Sequence, residues 1–213
     1  MNLAPAAPDL TAGARIVVVR HGATRLTGRV RNGGASDAAD PPLTPAARAQ
    51  ARRTGQVLRE LGLLGDGARA RSSPALRARQ TAAALGWPDA PTDDRLAEVH
   101  LGAWEGTEAS SLTGAITQRW WRDEGFAPPG GESASDVVRR VRPVLAACGS
   151  GTTSLLVCHL GTIVAIVRQL LGVDLAAIRR FDLPPGVVVA LRVWADGGSC
   201  LDAILPPTGT IGH

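Results

Sequence analysis

Two short apolar runs decide most of what this chain can fold into. Residues 16–19 read Ile-Val-Val-Val and residues 155–158 read Leu-Leu-Val-Cys, with no apolar–polar alternation in either. A strand patterned this way is buried on both faces, so helices must cover the sheet from both sides. Helical stretches separate the strands through most of the chain. Thr44-Pro45 caps and opens one that runs to about Leu61; Pro74 opens another, closed by Gly86; Ser133 caps 134–148 with Asp136 as its partner; Ile163–Gly172 is apolar on most faces. Strand and helix in alternation predict an α/β, three-layer α/β/α sandwich around a mostly parallel central sheet. Residues 92–96 suit a brief strand, 111–123 one or two helices, and 187–194 with 200–205 a closing hairpin. The expected organisation is a disordered leader over 1–14, a single domain over 15–207 and a tail over 208–213.

Composition narrows the function classes. With 213 residues, 45% of them hydrophobic, the chain can bury one sizeable core. No window approaches the apolar length of a membrane span. The first residues lack the basic and apolar regions of a secretory signal, which makes the cytoplasm the expected compartment. Cys148, Cys158 and Cys200 are widely spaced, and neither they nor the four histidines show metal-ligand spacing. No metal and no other cofactor is expected. All 23 basic residues are arginine, and any anion site must therefore be made of guanidinium forks. The arginines lie scattered among acids and aromatics are only 3%, a poor platform for nucleic acid.

The chemistry gathers where strands end. Ligands of open α/β sheets bind beyond the carboxyl ends of the strands, and both apolar runs lead there to a histidine, His21 and His159. Arg20 precedes the first of them and glycine follows each closely. A short strand and turn are expected over 68–74; Arg77 falls in the first turns of the helix that follows, and Glu98 lies in a glycine-broken loop beside Trp104. Taken singly, each has a bland reading: a structural histidine, a solvated arginine, a surface glutamate. Two histidines at equivalent strand ends, with arginine beside the first, outweigh those readings. Successive strand residues face opposite sides, so Cys158 points to the core while His159 does not. His100 suits the pocket or the surface equally. The tandem Trp120-Trp121 suits a substrate ring or a half-buried helix face.

Five blocks then stand in order: RHG at 20–22, SSPxxRAxxTA at 72–82, LxExxxGxWEG at 96–106, PPGGES at 128–133 and VxHxGTI at 157–163. Over residues 15 to 205 the chain resembles the histidine phosphatase superfamily, whose fold is phosphoglycerate mutase-like. The resemblance implies a metal-independent phosphatase acting on a small organic phosphomonoester through a phosphohistidine. In it His21 is the nucleophile, Arg20 and Arg77 clamp the phosphoryl oxygens, His159 adds a donor, and Glu98 moves the proton. A phosphoglycerate-type mutase and a non-catalytic phosphoryl-binding module are the alternatives. The segment from Trp104 to Pro128 is short for a lid that keeps a phosphoenzyme dry, which favours hydrolysis. Three positions depart from the family. Thr27 stands where many members place a phosphate-binding asparagine, and Leu160 where glycine or alanine is common. Arg29 and Arg31 sit in a long loop where they could grip a second acidic group or simply be solvated. Oligomeric state is not legible.

Overall fold

The computed structural model describes residues 13–30, 40–108, 111, 119–120, 122–149, 151–178 and 180–208. Five strands form one sheet: β1 (Ala14–Arg20), β2 (Arg69–Ser72), β3 (Thr153–Cys158), β4 (Val188–Val193) and β5 (Ser199–Leu205). Their order is β2-β3-β1-β4-β5. β1 runs parallel to β3 and β3 to β2, whereas β4 is antiparallel to both β1 and β5. Four strands thus point one way and only β4 is reversed, which is the expected mostly parallel sheet with its terminal hairpin.

The unalternated apolar runs take the two central places. From β1, Val17 and Val19 join Leu155 and Val157 of β3 in one core, under α1 (Pro45–Glu60) and α2 (Leu76–Leu85). Ile16 and Val18 join Leu156 and Cys158 in the other core, under α3 (Ala134–Ala146) and α4 (Leu160–Leu171). Each such side chain, removed from water, contributes about 1.5–3 kcal/mol. The three layers follow from this two-sided demand.

The predicted caps form. Thr44 Oγ1 accepts the Ala47 N–H with Pro45 at the helix start, and Ser133 and Asp136 make a reciprocal capping box. α3 passes through Pro143 without ending there. Other expectations need correction. α2 starts at Leu76 after Ala75 rather than at Pro74, because the SSP segment forms the turn that leaves β2. Residues 92–96 are not a strand: Thr92 makes one bridge to Ser72, and Asp94–Leu96 is a single tight turn capped by the Asp93 carboxylate. β1 begins at Ala14, inside the stretch expected as leader, and residues 1–12 lie outside the described residues. Thr208 belongs to the folded body, its hydroxyl 3.0 Å from that of Thr54. Arg119 and Trp120 are helical, and most of 111–123 lies outside the described residues. Among the described residues no helix is long and apolar enough to cross a membrane.

Parallel pairing positions the site. The β1–β3 register sets Arg20 opposite Cys158, so the next residues, His21 and His159, emerge side by side at the carboxyl ends of these two strands.

Candidate active site

Beyond those strand ends lies a cavity of about 250 Å3, lined by Arg20, His21, Thr24, Thr27, Arg77, Glu98, Leu160 and Trp120 among others. His21 and His159 have ring centroids 5.0 Å apart. His21 Nδ1 lies 2.8 Å from the Gly22 carbonyl oxygen, so this nitrogen carries the proton and donates it. The lone pair then sits on Nε2. Burial, followed by the nearby Arg77 charge, lowers the His21 pKa to about 3, and the ring is neutral at physiological pH.

Arg77 enters from the first turn of α2. Its Nη1 pairs with Asp40 at 3.0 Å, and the second Asp40 oxygen accepts the Leu76 N–H at 2.5 Å. Its Nη2 reaches His159 Nδ1 at 3.3 Å. A guanidinium only donates, so His159 Nδ1 is the acceptor and Nε2 carries the proton, given to Ser73 Oγ at 2.7 Å. His159 is fully buried, and burial above all holds its pKa well below the ordinary histidine value. Arg20 donates from Nη1 to the Leu183 carbonyl at 2.5 Å, while its buried Nε has no hydrogen-bond partner among the described residues. Burial lowers its pKa too. A phosphoryl oxygen in the cavity would give that N–H its acceptor.

Glu98 completes the ring of groups. Its Oε1 accepts the N–H of Val99 and of Gly161, both at 2.9 Å. A Cβ on Gly161 would lie 2.7 Å from that oxygen and 2.3 Å from Val99 Cγ2, so only glycine allows the contact. Burial raises the Glu98 pKa, outweighing the N–H donors and the charges of Arg20 and Arg77. Its carboxyl therefore holds a proton at higher pH than an ordinary glutamate.

The structure thus brings Arg20, His21, Arg77, Glu98 and His159 to one place. Thr27 lines the same cavity, but its Oγ1 accepts the Thr24 N–H at 2.9 Å and closes a local turn. Its hydroxyl also lies 3.3 Å from Thr24 Oγ1, and either hydroxyl can donate to the other. Arg29 is exposed and does not line the cavity, although Gly28 and Val30 do. Arg31 and Trp121 lie outside the described residues. Trp120 lines the cavity and stands edge-on to Trp104, ring centroids 5.8 Å apart. His100 is exposed. Cys158 is buried in the α3–α4 core, where burial pushes its thiol pKa up. Sequence reasoning missed Ser73 and Asp40. Ser73 stands within the SSP block and could have been singled out there; Asp40, far from Arg77 in the chain, left no signal.

Known proteins are similar to this chain over most of its length. The family model described as histidine phosphatase superfamily (branch 1) matches residues 16–203. A bifunctional protein of Mycobacterium tuberculosis is 32% identical over 194 residues, covering 87% of this chain and 52% of its own length. The chain thus spans about half the length of that relative. Glucosyl-3-phosphoglycerate phosphatase of Mycolicibacterium vanbaalenii is 34% identical over 213 residues, with 84% of this chain and 91% of that protein covered. The solved structure of a mycobacterial glucosyl-3-phosphoglycerate phosphatase superposes with a TM-score of 0.75 at 28% identity, covering 90% of this chain and 98% of that one.

Proposed function

Since the chain belongs to the histidine phosphatase superfamily, branch 1, we propose that it hydrolyses small organic phosphomonoesters through a phosphohistidine on His21. The observation that carries this reading is the neutral, buried His21, whose Nδ1–H is tied to the Gly22 carbonyl and whose Nε2 lone pair is left for attack. Nε2 attacks phosphorus, the bond to the ester oxygen breaks, and the departing alkoxide takes the Glu98 proton. Glu98, now ionised, accepts a proton from water as that water attacks phosphorus. The N–P bond breaks, phosphate leaves and His21 returns neutral. Arg20 and Arg77 hold the phosphoryl oxygens and offset their charge, the main demand of phosphoryl transfer. For His159 to donate to the same oxygens, its proton must move to Nδ1 and the Ser73 hydroxyl must turn to donate to Nε2.

Phosphorylated sugar acids of the kind named for the relatives are the first natural substrates to try. The test uses p-nitrophenyl phosphate with excess EDTA, for wild type and His21→Ala. Release that survives EDTA and falls at least about 10⁴-fold in the variant is the expected result. Equal rates in the two proteins would overturn the reading. Product analysis with a phosphoglycerate would expose a mutase: the phosphoryl group returned to a hydroxyl of the glycerate in place of free phosphate.

A further inference from the structure

Glu98 sits in a segment with no long regular structure, yet its carboxyl must meet a leaving oxygen. Side chains from α3, α4 and the PPGGES turn hold that segment by its backbone. Arg140, on α3, donates from Nη1 to the Arg95 carbonyl at 2.6 Å and from Nη2 to the Glu98 carbonyl at 3.1 Å. Its remaining donors fork onto Glu132: Nε to Oε1 at 2.8 Å and Nη2 to Oε2 at 3.2 Å. Glu132 in turn accepts the His100 N–H on Oε2 at 2.9 Å and donates its own N–H to the His100 carbonyl at 2.8 Å. On the other side Thr162 Oγ1 donates to the Ala97 carbonyl at 2.5 Å. Residues 95, 97, 98 and 100 are thus all pinned, and Arg140 with Glu132 supplies all of those bonds except the one at Ala97.

We propose that Arg140 and Glu132 form a clamp that positions the Glu98 carboxyl for proton transfer, with Arg140 a positioning residue that never touches substrate. Three features favour this over a plain surface ion pair. The pair is mostly buried, with side-chain exposures of 18% and 24%. The guanidinium spends its fork on a carboxylate and two carbonyls together, a geometry lysine cannot copy. The bonds converge on the backbone of Glu98 and its near neighbours, while among the described residues the carboxyl itself accepts from the N–H groups of Val99 and Gly161. A shift of about 1 Å in that backbone is enough to cost on the order of 10²-fold in rate.

The inference rests on Glu98 being the proton donor, and its test separates the two. The rate constant kcat/KM is measured for wild type, Glu98→Gln, Arg140→Ala, Arg140→Lys and Glu132→Gln on p-nitrophenyl phosphate and on glycerol phosphate. The first leaving group departs without protonation and the second does not. Glu98→Gln should lose about 10²-fold or more on the alkyl ester and far less on the aryl ester. Arg140→Ala and Arg140→Lys should repeat that split in weaker form, about 10-fold or more against less than about 3-fold. Equal losses on both esters in the Arg140 variants, with the split intact in Glu98→Gln, would overturn the clamp and leave Glu98 as donor. No split in Glu98→Gln would overturn both. If Arg140→Ala fails to fold, Glu132→Gln keeps the size of the partner, removes its charge and carries the same comparison.

Discussion

The floor and the rim of the cavity are built differently. The floor is Arg20, His21 and Arg77, at strand ends and a helix start, backed from beneath by Ser73 and His159. Ser73 and His159 are wholly buried, and Arg77 is 2% exposed. These groups hold one another through buried hydrogen bonds, and the packed core beneath fixes their places. The rim is the Thr24–Val30 turn, Leu101, Leu160 and Trp120, all loop or helix-end residues and mostly half-buried. On the proposed function, chemistry that tolerates little displacement would sit on the sheet, and contacts that choose a substrate where substitution is cheap. On this division, floor variants lose turnover on every substrate, and rim variants change only which substrate is preferred.

The largest effect that tests it, beyond the nucleophile itself, is at Arg77. Arg77→Gln removes one clamp on the developing charge and leaves Asp40 without its ion-pair partner. It should lower kcat/KM about 10²–10³-fold on aryl and alkyl esters alike. Steady-state kinetics on both esters checks this, and a loss confined to one ester would place Arg77 with the rim.

Ser73→Ala follows. It removes the hydroxyl that His159 Nε2 meets, leaving a buried donor unmet at a cost of about 1–3 kcal/mol. A fall of about 10-fold in kcat on every substrate is expected, on the scale of that lost bond, with Ser73→Thr closer to wild type because it keeps the hydroxyl. Loss of stability with unchanged kcat would make Ser73 a packing residue only.

The floor also carries a pH signature. The His21 pKa is about 3 in the folded protein against an ordinary 6.5, and His159 is lowered as well. Between those values the unfolded chain binds the protons that the folded chain refuses. Stability present above the ordinary value of 6.5 is therefore lost as pH falls toward about 3. Glu98 has the opposite sign: its raised pKa contributes stability below its ordinary value of 4.5 that fades as pH rises through the folded value. From about pH 7 to about pH 5 the histidines dominate. The Tm drop over that interval should be smaller in His21→Asn than in wild type, by a few degrees. Equal drops would mean that His21 is not held neutral by its surroundings.

The same division decides what could be read from the amino-acid order. Strand-end groups were legible because unalternated apolar runs announce central strands, and parallel strands bring their ends together. His21, His159 and Arg20 needed little more than that. Arg77 and Glu98 needed the spacing of whole motif blocks, since each lies on a separate element. Asp40, Ser73 and Arg140 were not singled out because their roles are purely spatial. Asp40 reaches Arg77 across 37 residues and Arg140 reaches Glu98 across 42, and no periodicity links such pairs. Residues 92–96 suit a strand by local propensity, but the Asp93 cap competes there and prevails.

The smallest expected effect probes the rim at its oddest residue. Leu160 stands at the start of α4. It lines the main cavity and also a neighbouring one of about 310 Å3 that includes Phe181, Asp182 and Leu183. Arg20 borders both, so Leu160 forms part of the wall between two spaces that share the proposed phosphate clamp. Leu160→Ala thins that wall while keeping a good helix former at the helix start. Activity on p-nitrophenyl phosphate should stay within about 2-fold, while the kcat/KM ratio of a bulky to a small phosphomonoester should rise about 3- to 10-fold, in line with the worth of a few methylenes in an apolar wall. A matched series of esters of increasing size measures it. A uniform fall across the series would instead show that the first turn of α4 belongs to the floor, because Gly161, the next residue, holds Glu98 through its N–H.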